Sequence, residues 1–171
     1  KVISALFIVP SSMLATVSAL SAQNFGAGKE KRATDTLRYA TVITTIYGVI
    51  VAVLIQFIAE NVVGIFTSDT TVVTMGSAYI RSYIWDCIFA GIHFSFSGYF
   101  AACGKSYIGF LHNIISITFV RVPGSYLASK YFTDTLYPMG LAAPAGSLVS
   151  VAICVTAFIL LKRKSRVAQT A

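Results

Sequence analysis

Apolar residues run along this chain in five long stretches, at residues 2–22, 37–58, 80–103, 108–129 and 139–161, separated by short polar clusters. At 1.5 Å per residue each is long enough to cross a hydrocarbon layer of about 30 Å as a helix. The second stretch is crowded with β-branched residues and would read as strand in water, but it is too long for a strand. A spanning segment must also satisfy its backbone internally, so helix is the expectation throughout. Asp35 and Thr36 are expected to cap the second helix and Glu60-Asn61 to end it. Val72 to Arg81 reads as an interfacial extension of the third, Gly104-Lys105 closes that helix, and a turn through Ser106 leads into the fourth, a membrane hairpin. In the fifth, Gly140, Ala142, Ala143, Ala145 and Gly146 offer small surfaces for close helix contact.

Composition agrees with this pattern. Of 171 residues 56% are hydrophobic and 11% charged, outside the usage of water-soluble domains. The net charge of +7 does not point to nucleic acid, because the basic residues stand in clusters at segment ends and not along one polar face. Lys29, Lys31, Arg32, Arg38, Lys105, Lys162, Arg163, Lys164 and Arg166 fall on one side of the deduced topology, and only Lys130 and Lys1 on the other. Positive residues mark the cytoplasmic side, which predicts a multi-pass protein of the plasma membrane with a cytoplasmic C-terminus. Cys87, Cys103 and Cys154 are odd in number and far apart, a layout for packing and not for disulfides or a metal site. Lys1 leads straight into a full span, and the expectation is a fragment that begins near a helix start.

The stretch from Pro10 to Arg38 organises the rest. Pro10 leaves a carbonyl without its donor, which predicts a kink, whether for packing or for gating, with Ser11 and Ser12 as candidates to re-satisfy the backbone. Gln23, Asn24, Gly26 and Gly28 then stop the helix ahead of the basic cluster. Gly28-Lys29 is followed by Glu30, without the Ser or Thr of a phosphate loop. The string SALSAQNFGAGKEKRA resembles the helix-loop signature of the multidrug and toxic compound extrusion (MATE) transporters. Ile65-Phe66-Thr67 with Asp69, Ala78-Tyr79-Ile80-Arg81, Ala102-Cys103-Gly104 and Val120-Arg121-Val122-Pro123 follow in the order expected of that family. The resemblance implies an all-α integral membrane protein in which residues 1–171 form a partial C-terminal transmembrane lobe, about five helices of one six-helix lobe of a twelve-helix transporter.

Asp86 stands well inside a span, where an ionisable group costs about 2.5–3.5 kcal/mol unless paired or hydrated. Two readings stand side by side: a cation or proton coupling site together with His93, or a structural ion pair with Arg121. Asp86, Ala90, His93 and Ser97 share one helix face. His112 is expected near an interface, and Arg121 with Pro123 is expected to order the hairpin rather than bind substrate. Trp85, Phe89, Phe96 and Tyr99 are candidates for an aromatic cavity wall suited to planar cations.

The function implied is part of a cation-coupled multidrug efflux antiporter working by alternating access, with sodium or proton as coupling ion and no other cofactor or metal. Its partners would be amphiphilic or cationic small molecules, membrane lipid and the missing N-terminal lobe, and no nucleic acid. A related exporter of lipid-linked saccharides and a non-transporting membrane scaffold are the alternatives. An enzyme is not expected, because no metal-protease helix and no Ser/His/Asp grouping occurs.

Overall fold

The computed structural model describes the backbone of residues 2–170 and the side chains of residues 2–163, and among these every regular element is helical. The elements are α1 (Val2–Leu6), α2 (Ile8–Gly26), α3 (Glu30–Gly64), α4 (Thr70–Tyr83), α5 (Asp86–Ala102), α6 (Ser106–Ser116), a π-helical turn (Ile117–Arg121), α7 (Val122–Tyr131), α8 (Tyr137–Gly140) and α9 (Ala142–Thr170). The expected stretches map onto them in order, with differences that have local causes.

α3 is 35 residues long, about 52 Å at 1.5 Å per residue, and so overshoots a bilayer core. Asp35 and Thr36 lie inside it rather than capping it, and Glu60-Asn61 does not end it. The Thr36 hydroxyl donates to the Arg32 carbonyl at 2.9 Å, a bond that keeps a threonine inside a helix. The third stretch is broken at Ile84-Trp85. There the amides of Cys87 and Ile88 reach back three residues to Ile84 and Trp85 at 2.9 and 3.3 Å, one tightened turn that separates α4 from α5. Asp69 caps α4, its carboxylate accepting from the amides of Thr71 and Val72 at 2.8 and 3.3 Å.

The fourth stretch carries the opposite irregularity. Pro123 has no N–H for the carbonyl four residues before it, and the helix widens just upstream, the Val122 amide bonding Ile117 five residues back. The fifth breaks at Leu141, between Pro138 and Pro144.

α5 is the centre of the bundle and packs on α2, α3, α6 and α9. A Cβ on its Gly98 would run into the Leu14 carbonyl oxygen, so glycine there is what lets α2 come so close. α3 and the segment 137–163 are each long and apolar enough to cross a membrane. Along α3, Ile43, Ile46, Ile50, Leu54 and Phe57 form an exposed stripe at helical spacing, the kind of continuous apolar surface that lipid covers.

Two hairpins close in the same way. Gly28 and Gly104 both take φ +70°. The amides of Lys29 and Lys105 bond back five residues to Asn24 and Phe100, each at 2.8 Å, while those of Gly28 and Gly104 bond back three, each at 3.0 Å. This is the Schellman cap, which needs a left-handed residue. Of the motif residues, Gln23 and Asn24 supply capping carbonyls, Gly26 is still helical, and Gly28 alone requires glycine. Lys29, Lys31, Lys105, Lys162 and Arg163 lie around these caps and the start of the C-terminal extension, which defines the basic end of the bundle.

Candidate functional site

At the start of α5, Asp86 is 1% exposed. Its Oδ2 lies 3.5 Å from Nη2 of Arg121, the last residue of the π turn. The same Arg121 nitrogen donates to Ser147 Oγ on α9 at 2.6 Å. Ser147 in turn meets His93 Nε2 at 3.3 Å. Two turns below Asp86 on the same face, His93 stands edge-on to His112 of α6, with ring centroids 5.4 Å apart. His112 Nε2 shares a 2.8 Å hydrogen bond with Ser97 Oγ, which also donates to the His93 carbonyl at 2.8 Å. Asp86, Arg121, Ser147, His93, Ser97 and His112 therefore form one polar chain through the middle of the bundle, supplied by α5, α6, the π turn and α9.

Room for the guanidinium comes from α9. A Cβ on Gly146 would sit 2.5 Å from Arg121 Cγ and 2.8 Å from Ser116 Oγ, so any larger residue collides with the arm that reaches Asp86. Several polar atoms in this region have no hydrogen-bond partner among the described residues: Asp86 Oδ1, Nδ1 of His93 and of His112, Arg121 Nε and Ser116 Oγ. Buried polar atoms are seldom left so, and a cluster of them marks a site able to take up an ion or water.

The structure brings Asp86 and Arg121 to 3.5 Å and links His93 to Arg121 through Ser147. It places His112 differently from expectation, 1% exposed beside His93 and not at an interface, because α6 turns that ring toward α5. The four aromatic candidates for a cavity wall have different surroundings. Trp85, in the tightened turn before α5, is 37% exposed. Phe89 is half-buried, while Phe96 is core, 5.7 Å from Phe158 and 6.1 Å from Phe100. Tyr99 packs on Phe25 and Phe158 and lines a cavity of about 510 Å³ at the basic end, with Glu30, Lys31, Asp35, Lys105 and Lys162 on its rim. The helix passes different neighbours at each depth, so residues that share a face do not share a surface.

A second cavity of about 230 Å³ lies between α2, α5 and α6, lined by Leu14, His93, Ser97, Ser106, His112 and Asn113 among others. Arg81 pairs with Glu60 at 3.1 Å on the far end of the bundle and takes no part in either cavity.

Pro10 frees the Leu6 carbonyl, yet Ser11 and Ser12 do not take it. Their hydroxyls donate to Ile8 and Val9 at 3.1 and 3.0 Å. The Leu6 carbonyl instead accepts from the Tyr47 hydroxyl at 3.0 Å and lies 3.8 Å from the Cys87 thiol, so α3 and α5 hold the kink. Ser147, Tyr47 and Cys87 were not legible as functional residues. The signal for Ser147 was only a serine directly after Gly146 in an apolar run.

A bundle of apolar helices with an ion pair and two histidines along its axis defines a helical integral membrane protein with a polar core. The MatE family model matches residues 1–127, and the chain belongs to the MatE family. It is 28% identical over 151 residues to Protein DETOXIFICATION 14 of Arabidopsis thaliana, an overlap of 88% of this chain. The chain spans about a third of that relative's length, 31%. No solved structure matches it significantly.

Proposed function

We propose that this chain is most of the C-terminal lobe of a cation-coupled efflux transporter that exports amphiphilic or cationic small molecules by alternating access with a second lobe. Family membership supports the transport class, and the observation that carries the coupling is the buried chain of Asp86, Arg121, Ser147 and His93. An isolated carboxylate at that depth is costly, and a carboxylate that exchanges a guanidinium for a cation is a two-state element both lobes can sense. The asymmetry of Lys and Arg supports a plasma-membrane protein with its basic end in the cytoplasm.

The 3.5 Å contact between Asp86 and Arg121 also favours a second reading, a purely structural ion pair. The two separate in the full-length transporter carrying this segment. Asp86→Asn and Arg121→Gln, alone and together, are assayed for folded yield and for gradient-driven efflux of ethidium from proteoliposomes. A coupling residue predicts that Asp86→Asn folds and loses efflux by about tenfold or more. A structural pair predicts a loss of about 3–5 kcal/mol for either single change, with yield restored in the double variant. That rescue would sink the coupling role.

A further inference from the structure

The cavity of about 510 Å³ at the basic end collects charges that the fold leaves unmatched. Lys31 comes from the first turn of α3, Lys105 from the link before α6 and Lys162 from α9, and Glu30 and Asp35 of α3 line the same space. Among the described residues the ion pairs are Arg81 with Glu60 and Arg121 with Asp86, so none of these five side chains is in one. Three ammonium groups and two carboxylates leave the cavity with one net positive charge. Its floor is aromatic. Tyr99, 7% exposed, packs on Phe25 and Phe158, and Lys162 Nζ folds back to 5.0 Å from the Phe158 ring centroid.

Three helices agree on the depth of this cavity. On α3 it takes in Asp35, just before the apolar stretch that begins at Leu37. On α5 it takes in Cys103, at the end of one such stretch, and on α9 Leu161 and Lys162, across the end of another. The cavity therefore lies where hydrocarbon gives way to headgroups. The face of α3 that carries Lys31 and Asp35 continues inward at helical spacing as Val42, Ile46 and Val49, which are 49%, 56% and 42% exposed. A ligand held in the cavity has bare apolar surface beside it on the membrane side.

We infer that the cavity binds the headgroup of an anionic phospholipid that carries hydroxyls, of the glycerol or inositol kind, with an acyl chain along that face of α3. The inference rests on the membrane class of the chain and not on a coupling role for Asp86. A phosphodiester has one negative charge, which balances the net charge of the cavity, and its oxygens accept from the ammonium groups of Lys31, Lys105 and Lys162. Headgroup hydroxyls donate to Glu30 and Asp35, two carboxylates that repel a bare phosphate. An ethanolamine lipid has no net charge and leaves the cavity positive. A choline lipid adds a cation with no N–H to donate. A soluble phosphate ester satisfies the same groups but gains nothing from Val42 and Ile46. Bound in this way, the lipid ties the ends of α3, α5 and α9 together at the basic end.

The test is native mass spectrometry of the detergent-solubilised full-length transporter, titrated with dioleoyl lipids. Phosphatidylglycerol is expected to bind at least tenfold tighter than phosphatidylethanolamine or phosphatidylcholine, and excess glycerol 3-phosphate is expected not to displace it. Lys31→Gln with Lys162→Gln should weaken phosphatidylglycerol binding about tenfold. Arg163→Gln, next to Lys162 but outside the cavity lining, should weaken it less than twofold. Independently of charge, Cys103 is modified after folding with benzyl methanethiosulfonate, in a background where other accessible cysteines are serine. That adduct fills the cavity and should remove one tightly bound phosphatidylglycerol per protein. Undiminished binding after modification, or equal binding of phosphatidylcholine, overturns the site. Equal weakening by Arg163→Gln overturns it too, in favour of a diffuse basic surface. Displacement by glycerol 3-phosphate overturns the lipid in favour of a soluble phosphate ester. All of these readouts are of binding, so they stand apart from the efflux assay, whose failure overturns the transporter reading alone.

Discussion

Asp86, Arg121 and Gly146 show how one buried charge is accommodated. The π turn places Arg121 against α9, and Gly146 leaves the space its arm passes through. Gly146→Ala puts a methyl group 2.5 Å from Arg121 Cγ. Because that neighbour is a flexible side chain, the arm moves rather than the helix, and it moves away from Asp86. The expected cost is about 1–3 kcal/mol, the range for overpacking, read as a lower melting temperature of the detergent-solubilised full-length protein. Gly146→Ala in an Arg121→Ala background should cost less than half as much, since alanine has no Cγ at the point of collision. Asp86, His93 and Arg121 were legible because an ionisable residue in an apolar run has few reasons to be there. Ser147 was not, because a lone serine in a membrane helix more often bonds its own backbone, as Thr156 does to Ala152 at 2.8 Å.

Among the elements, the five apolar stretches were readable and their internal breaks were not. Length and hydropathy set where a helix must lie, whereas the tightened turn at Ile84-Trp85 and the widened one at Ile117–Arg121 depend on neighbours far along the chain. Pro123 flagged the second, and no residue type flagged the first. The kink at Pro10 makes the same point, since its freed carbonyl is met by Tyr47, 41 residues away. Tyr47→Phe removes that hydroxyl and leaves the Leu6 carbonyl to the weak thiol donor of Cys87. A loss of about 1–3 kcal/mol is expected for a buried acceptor left unsatisfied. Hydrogen exchange of the amides of residues 3–12 in the full-length protein should rise while exchange in α9 stays as it was. Unchanged exchange in residues 3–12 would show that the hydroxyl does not hold the kink.

For the whole molecule, the resemblance carried by the motif strings and the all-helical membrane class were both in the sequence, and the MatE match over residues 1–127 agrees with them. The surroundings of the aromatic residues of the third stretch belong to this scale too, because the sequence does not say which neighbour lies at each depth of a helix. The proposed orientation can be checked directly. Single cysteines at Lys105 and at Asp134 of the full-length protein, in a background without other reactive thiols, are treated with a membrane-impermeant reagent in intact cells. Position 134 is expected to label at once and position 105 only after permeabilisation. The reverse order would invert the bundle.

The paired glycine caps also shape the cavity between α2, α5 and α6. Residues 27–29 and 103–105 are the whole of the links between α2 and α3 and between α5 and α6, each closed by backbone bonds that leave no slack. At the other end the links 65–69 and 132–136 are longer. α5 and α6 are therefore held close together at the basic end, as are α2 and α3. The cavity between α2, α5 and α6 reaches that junction at Ser106, so the two helices that wall it are held at a fixed spacing there.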